Sequence, residues 1–356
     1  RDVAPSRGLG DVYKRQGNIW MPTYAGGINI FSSYRQNFVN IGERMGDKSG
    51  LNQPLVNSVL LDNEKDEIWV GTDGGGLNHV DRTGNMVQYY PVRDMVNHKQ
   101  SNIIKSLMWD RKKRIWIGTL EGIAIFEPQT GRARYLELKK DKHIRVNALL
   151  SDGDKVWAGT ENEGLIELTE EGVVDTVFVN VPGDNHGLSN NTVSSIIQDE
   201  AGKLWIGTRG GLNCYDPQTK IFTTYYDTKD MNNMNSRMVL SLYRDANNRL
   251  WVGTMSGGYY FDKINKEFHK LNAPEVSSDV IQAINEDNAG NIWFSTYNGL
   301  VKVDFTSFRP PFQEEDYRIT RYTVQNGLSS NQFLPGAVAK SPVSYTHLRA
   351  HETELH

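Results

Sequence analysis

Short runs of alternating apolar and polar residues follow one another along most of the chain, separated by turn-forming residues. In segment 192–226 the runs are TVSSIIQD (192–199), LWIGT (204–208), LNCYD (212–216) and IFTTYY (221–226). A period of two is typical of strands that bury one face, and the β-branched and aromatic residues favour strands as well. The 3.6-residue apolar period of an amphipathic helix is missing from this pattern. The pattern therefore predicts four short strands here and an all-β chain.

The same four-strand pattern recurs along the sequence, and a tryptophan marks each copy. Seven of the eight tryptophans open a phrase of the form Trp-x-Gly-Thr or a close variant, at Trp20, Trp69, Trp116, Trp157, Trp205, Trp251 and Trp293. Successive intervals are 49, 47, 41, 48, 46 and 42 residues. Units of this length with four strands are typical of β-propellers, because each small sheet is covered by its neighbours around a ring. The sequence thus predicts a seven-bladed β-propeller of four-stranded blades.

Each part of the repeated phrase has an expected physical role. The tryptophan should fill the wedge between adjacent blades, where a large aromatic side chain buries much apolar surface. The glycine two residues later should let neighbouring backbones approach closely, and turn glycines such as Gly202 should adopt positive φ. Trp109, outside the series, is expected to pack between blades, and Cys214 to be a buried small apolar residue. The unit of Trp157 is expected to have a short first strand.

The first unit has no first strand of its own, which leaves the closure of the ring open. The stretch GLSSNQFLPGAVAK (327–340) resembles the start of the other units. It would complete blade one and close the ring, or it would open an eighth unit. The period alone is compatible with both arrangements.

The two ends of the sequence lack this patterning. RDVAPSRGLGDVYKRQ (1–16) and VSYTHLRAHETELH (343–356) both resemble translated sequencing adaptor. We therefore expect 1–16 and 343–356 not to be native, and 17–340 to form the propeller. His347 and His351 have the i, i+4 spacing of a helical metal pair, but they lie in the foreign tail, so we expect no metal site and no cofactor.

Composition narrows the classes of function. The net charge is −4 and the 39 basic residues are scattered, which argues against nucleic-acid binding. One cysteine excludes a disulfide framework and multi-cysteine metal sites. No stretch approaches the roughly 18 apolar residues that span a bilayer, so membrane attachment is expected only through segments outside this sequence.

The phrase GLSNNTVSSIIQDEAGKLWIGTRGGLNCYDPQT (187–219) closely resembles the two-component regulator propeller repeat, and the resemblance extends over 17–340. That family forms the ligand-sensing region of hybrid histidine-kinase receptors in polysaccharide-degrading bacteria. The resemblance implies a periplasmic sensor region that binds an oligosaccharide, controls polysaccharide utilisation and catalyses nothing itself. It also implies a tandem propeller, a dimer partner and a kinase outside this sequence.

We label the strands of each blade A to D from inside to outside. The B–C loops and the D–A loops then lie on one side of the disc, which we call the mouth face. The first residues after the repeated threonine are Tyr24, Asp73, Leu120, Glu161, Arg209, Met255 and Tyr297. The next residues are Ala25, Gly74, Glu121, Asn162, Gly210, Ser256 and Asn298. The A strands begin with Asn102, Asn191, Arg237, Asp279 and Asn331.

Aromatic rings, amides and charged groups on one face suit a sugar, because rings stack on its C–H faces while amides and charges bind hydroxyls. Arg209 and Arg237, from neighbouring blades, are expected to hold a carboxylate or sulfate, since arginine binds such groups bidentately. The candidate ligand-binding residues are Arg209, Arg237, Tyr24, Tyr297, Asp73, Glu161 and Asn191.

Two other functions remain open on the sequence alone. A propeller lyase or hydrolase would use paired carboxylates among Asp73, Glu121 and Glu161, and would release new reducing or unsaturated ends from polysaccharide. A protein-docking propeller would present an apolar patch on the mouth face, for which Leu120 and Met255 are a start. The histidines share no position in the repeat, so neither a catalytic triad nor a histidine metal site is expected.

Overall fold

Four-stranded antiparallel sheets form the whole architecture. The computed structural model describes residues 19–23, 27–31, 38–41, 50–65, 67–81, 86–96, 98–139, 143–184, 186–226, 237–277, 279–336 and 338–340. Seven sheets of four strands each are present, and the inner strand of every sheet contacts the inner strands of the two adjacent sheets. These contacts close into a ring, which confirms the predicted seven-bladed β-propeller.

The strands are listed here in the order A to D of each blade. Blade two contains β4 (Val56–Asp62), β5 (Glu67–Thr72), β6 (Leu77–Asp81) and β7 (Met86–Tyr90). Blade three contains β8 (Ile104–Trp109), β9 (Ile115–Thr119), β10 (Gly122–Glu127) and β11 (Arg132–Tyr135). Blade four contains β12 (Val146–Asp152), β13 (Lys155–Thr160), β14 (Leu165–Thr169) and β15 (Val174–Phe178). The short first strand expected in blade four is wrong, because β12 has seven residues.

The remaining blades follow the same plan. Blade five contains β16 (Val193–Gln198), β17 (Leu204–Thr208), β18 (Gly211–Asp216) and β19 (Ile221–Tyr225). Blade six contains β20 (Val239–Arg244), β21 (Leu250–Thr254), β22 (Gly257–Asp262) and β23 (Glu267–Lys270). Blade seven contains β24 (Ala283–Glu286), β25 (Ile292–Ser295), β26 (Leu300–Phe305) and β27 (Tyr317–Tyr322). A short helix α1 (Pro274–Ser277) and two 3₁₀ helices (Glu314–Asp316 and Val324–Asn326) lie in connections.

Blade one is completed by the C-terminal part of the chain. Strands β1 (Ile19–Thr23), β2 (Gly27–Phe31) and β3 (Phe38–Ile41) take β28 (Ala339–Lys340) as their inner strand, antiparallel to β1. The buried Asn29 side chain accepts a hydrogen bond from the Ser329 backbone N–H at 3.0 Å. Blade five contains the same bond, from Ser189 to Asn213, within its own unit. Residues 327–340 therefore belong to blade one, and they close the ring.

The repeated tryptophans lie in the wedges between blades, as predicted. Trp116 of blade three is fully buried and belongs to one cluster with Val146 and Val156 of blade four. Trp157 of blade four likewise packs against the Tyr215 ring of blade five at 5.6 Å between centroids. The expected position of Trp109 is confirmed, since its indole N–H donates to the Leu61 carbonyl of blade two at 2.8 Å.

Glycine in the repeated phrase is required by close approach between blades. A Cβ atom added at Gly207 of blade five would lie 2.6 Å from a methyl group of Val239, in the inner strand of blade six. Gly118 and Gly159 face Val146 and Val193 of the following inner strands in the same way, and Gly253 faces Ile281, just before the inner strand of blade seven. The predicted role of this glycine is therefore confirmed.

Replacing this glycine tests the interblade packing. Gly207→Ala should lower the free energy of unfolding by about 1–3 kcal/mol, because the added methyl overpacks the contact with Val239. In the double variant with Val239→Ala, the new methyl occupies space that the truncation vacates. The decreases in the free energy of unfolding of the two single variants should then add up to at least ~1 kcal/mol more than the decrease in the double variant. Urea unfolding of the four proteins measures this cycle, and strictly additive losses would contradict the contact.

An aspartate that the sequence pattern did not single out holds four of the tryptophans. The indole N–H groups of Trp116, Trp205, Trp251 and Trp293 each donate at 2.9 Å to the aspartate six residues earlier. The other oxygen of Asp199 accepts the backbone N–H groups of Ala201 and Lys203, which fixes the A–B turn. The corresponding position before Trp69 is Asn63, and the buried Trp69 indole nitrogen finds no partner among the described residues.

Candidate functional site

The mouth face rests on the repeated threonine. In blades two to seven its buried hydroxyl donates to the carbonyl of the glycine that ends the B–C loop, at 2.7–3.0 Å. In blade five the Thr208 hydroxyl also accepts the backbone N–H of Gly210 at 3.0 Å. The threonine thus fixes each B–C loop, and the loop residues between threonine and glycine are left to face outward.

The beginnings of the A strands hold neighbouring blades together through their backbones. The carbonyl of Asn191, at the start of blade five, accepts the N–H of Gly164 from the B–C loop of blade four at 2.9 Å. Asn331 accepts the N–H of Gly299 in the same way at 2.8 Å. The Asn191 side chain accepts the Asn180 N–H at 2.6 Å, so this predicted ligand residue also organises its own D–A loop.

The acidic residues predicted on the mouth face are paired with basic side chains. Asp73 lies 3.6 Å from the Lys105 ammonium, and Glu161 lies 3.2 Å from the Arg145 guanidinium. Glu121 contacts the His143 imidazole. Each carboxylate therefore has a basic partner from the start of an A strand or a D–A loop.

The other predicted residues are presented differently. Arg209 is exposed, and its backbone N–H donates to the Thr192 carbonyl at 3.2 Å. Arg237 is half-buried, with its guanidinium 5.0 Å from the centroid of the Tyr226 ring. Tyr297 exposes 47% of its surface, while its backbone N–H approaches the buried Asp279 carboxylate at 3.4 Å. Tyr24 lies outside the described residues.

The junction of blades four and five brings several of these residues together. Thr192 is the common neighbour, because its carbonyl accepts from Arg209 and its hydroxyl donates to the Asn162 side-chain oxygen at 3.2 Å. Glu161 precedes Asn162 and Asn191 precedes Thr192 in the chain. The sequence places these residues in separate columns of the repeat, and their meeting at one junction follows from the cross-blade hydrogen bonds.

A cavity of about 330 Å³ lies between the inner strands of blades five to seven and the closing strand. Its polar lining includes Ser195, Ser241, Tyr243, Asn285 and Lys340. Lys340 donates to the Asp287 carbonyl at 3.2 Å, which links the closing strand to the A–B turn of blade seven. The cavity is therefore bordered by the inner strands of four of the seven blades.

Two further observations bear on chemistry. Cys214 lies buried in β18, and burial raises the pKa of its thiol to about 11, so a thiolate nucleophile is disfavoured at neutral pH. Among the described residues, no three His, Cys, Asp or Glu side chains come together as a metal site. In the same part of the chain, no helix has the length and apolar character needed to cross a bilayer.

Comparison with known proteins agrees with the repeat. A family model described as two component regulator propeller matches residues 98–121, 187–210, 233–256 and 275–298. These four segments contain the four tryptophans whose indole N–H groups are bound by an aspartate. Among curated proteins, histidine kinase P4 of Formosa agariphila is 24% identical over 322 residues, which cover 86% of this chain and 22% of that protein.

Solved structures share the fold. The extracellular domain of BT3049 from B. thetaiotaomicron, described as a hybrid two component system, has a TM-score of 0.66 and 23% identity over 90% of this chain. The corresponding domain of BT4673 has a TM-score of 0.60 and 15% identity over 87% of this chain. The chain spans 47% and 48% of those two domains, and about a fifth of the curated kinase.

Proposed function

The chain is built from two-component regulator propeller repeats, and on that premise we propose that it is a sensor segment of a hybrid histidine-kinase receptor. The matched repeats carry the proposal. The proposal is also supported by the extracellular domains of BT3049 and BT4673, two hybrid two component systems whose domains have the same fold. Because the chain spans about half of those domains, the proposal includes a second propeller outside this sequence. It also includes the dimer partner that the family resemblance implies. It also places the segment in the periplasm, with membrane and kinase parts beyond it.

The ligand of this proposal is an oligosaccharide bound on the mouth face. The half-exposed Tyr297 ring suits the C–H face of a sugar, and its backbone is held in place at Asp279. Arg209 and the exposed Asn162 supply donors for sugar oxygens. These groups stand on loops whose backbones are fixed by the threonine and cross-blade hydrogen bonds, so little loop ordering would oppose binding.

The segment itself is proposed to catalyse nothing. Glycosidic cleavage needs one carboxyl group that is protonated and another that is free to attack or to activate water. Asp73 and Glu161 are instead engaged by the Lys105 and Arg145 cations, and Glu121 is bound to the His143 imidazole. Signalling would follow from a ligand that binds one of two receptor arrangements more tightly, since a shift in that equilibrium is what the kinase would detect.

Thermal unfolding of the full chain against neutral and anionic oligosaccharides tests this function. A ligand present at about 100 times its Kd should add about 2.7 kcal/mol to the free energy of unfolding. Tyr297→Ala should weaken binding about 2- to 10-fold, whereas Tyr89→Ala, on an outer strand, should leave it unchanged. A folded protein that responds to no oligosaccharide class would contradict the proposal. Release of new reducing or unsaturated ends from polysaccharide would favour the enzyme alternative.

A further inference from the structure

The junction of blades four and five brings Arg209 and Asn162 to the same residue, Thr192, on the mouth face. They belong to different blades. The Arg209 backbone N–H donates to the Thr192 carbonyl, and the Asn162 side-chain oxygen accepts from the Thr192 hydroxyl, at 3.2 Å in each case. The Asn162 side-chain oxygen is occupied by the Thr192 hydroxyl, so its amide nitrogen is left as a donor. Neither that nitrogen nor the Arg209 guanidinium has a protein partner among the described residues. Both side chains are exposed.

Asn162 occupies a backbone conformation that favours glycine. Its φ is +80°, and the corresponding residue of the equally long B–C loop of blade two is Gly74, with φ +104°. Of the described residues with a side chain, Asn162 alone has positive φ in a B–C loop. The loop can therefore be built with glycine, and asparagine is present at a conformational cost. That cost indicates a use for the side chain.

Of the charged side chains around this pair, Arg209 is the one without an oppositely charged partner among the described residues. Glu161 is engaged by Arg145 at 3.2 Å, and Glu163 lies 3.6 Å from the Lys139 ammonium. Arg209 itself has no acidic partner within the described part of the chain. The local field is thus suited to one added negative charge rather than to a neutral group.

We propose that Asn162 and Arg209 form a donor-only clamp that binds the carboxylate or sulfate of an acidic sugar. The clamp rests on the proposed function, whose ligand it narrows to an acidic oligosaccharide. The guanidinium donates two parallel hydrogen bonds to two oxygens of the anion, and the Asn162 amide nitrogen donates a third hydrogen bond to the same group. Neutral sugars lack the charge that Arg209 requires.

Calorimetric titration of the full chain with matched sugars tests the clamp. The probes are oligogalacturonate and its carboxyl-reduced form, and a sulfated galactan oligosaccharide and its desulfated form. At least one acidic member should bind about 10- to 100-fold more tightly than its neutral counterpart, the range expected for hydrogen bonds to a charged group. Its affinity should fall as ionic strength rises.

Variants separate binding from folding. Arg209→Gln should remove the preference for the acidic member, and Asn162→Gly should reduce it several-fold. Asn162→Gly should retain or raise the Tm, because glycine fits φ +80°. The control is Arg132→Gln, an exposed arginine on the outer strand of blade three, which should change neither affinity nor Tm.

The outcomes also distinguish the clamp from the function on which it rests. Equal affinity for the acidic and neutral members, or an Arg209→Gln variant with unchanged affinity for the acidic member, overturns the clamp and leaves the sensor proposal standing. If the Asn162→Gly variant loses stability but keeps its affinity for the acidic member, Asn162 has a purely structural role, and its proposed role in binding the anion is overturned. Binding of no member of either pair overturns the clamp, whereas the sensor proposal falls only if the folded protein responds to no oligosaccharide class.

Discussion

A chain that ends after Asn326 should lose about 5 kcal/mol or more of its free energy of unfolding. Leu328 and Phe333 are 4% and 2% exposed, and burial of each contributes about 1.5–3 kcal/mol. The fully buried Asn29 would also lose the Ser329 donor, at a further cost of about 1–3 kcal/mol. Because domains are stable by only about 5–15 kcal/mol, the shortened chain should be largely unfolded at physiological temperature.

The matched control is a chain that ends after Pro342, which lacks only the tail expected to be foreign. It should unfold at the same urea concentration as the full chain, because it retains residues 327–340. Circular dichroism during urea unfolding measures both. Equal stability of the two shortened chains would contradict closure of the ring by residues 327–340, and would favour the alternative of an eighth unit.

Replacement of Asp110 by alanine should cost about 3–5 kcal/mol, the range for breaking a buried ion pair by removing one partner. The Asp110 side chain is fully buried and accepts from the Arg114 Nε at 2.7 Å and the Trp116 indole at 2.9 Å. The Arg114 side chain is only 14% exposed, and it also donates to the Glu170 carbonyl of blade four at 2.7 Å. The substitution would leave a half-paired charge and an unpaired indole N–H between two blades.

Asp62→Ala provides the comparison within the same kind of turn. Among the described residues, Asp62 accepts only the backbone N–H groups of Glu64 and Lys65, at 3.0 and 3.2 Å, so its loss should cost about 1 kcal/mol. Urea unfolding should show a lower midpoint for Asp110→Ala, with an unchanged dependence on denaturant. Similar losses in the two variants would mean that the indole and guanidinium bonds contribute little.

The number of blades could be predicted from the sequence, but the way in which the ring closes could not. Tryptophan spacing counts blades because each wedge needs one large side chain, and burial of Trp116 and Trp157 confirms that role. Closure depends on which sheet residues 327–340 join, and an extra unit would preserve the same period. The bond between Asn29 and Ser329, 300 positions apart, makes the distinction in space.

The aspartate that binds the indole N–H in four of the units was missed for a different reason. Aspartate is common in turns, so Asp199 has an adequate local explanation in the Ala201 and Lys203 N–H groups. Its second oxygen binds Trp205, and this role is visible only when the turn folds back onto the next strand. The four units that carry this aspartate–tryptophan bond are also the four that the family model matches.

The side of the disc that carries the candidate site could be predicted from the sequence, but the contacts of its side chains could not. Alternation of loops around a propeller places Asp73, Glu161 and Arg209 on one side from the strand order alone. The sequence does not say that Asp73 and Glu161 are paired with Lys105 and Arg145 while Arg209 has no such partner among the described residues. Ion pairing depends on side chains that are distant in sequence. The ligand role of the predicted residues, including Tyr24, therefore stays a prediction.

Closure by β28 determines how force reaches the propeller. Ile19 and Lys340 are paired across the two antiparallel strands, so their Cα atoms lie about 5 Å apart. This pair occupies the place of an A–B turn, on the side of the disc opposite the mouth face. Chain leading into Ile19 and chain leading out of Lys340 must both pass this point. Tension between the flanking segments would thus act on the short paired stretch of β1 and β28. The other six blades would carry little of this force, and their mouth-face loops lie on the opposite side of the disc.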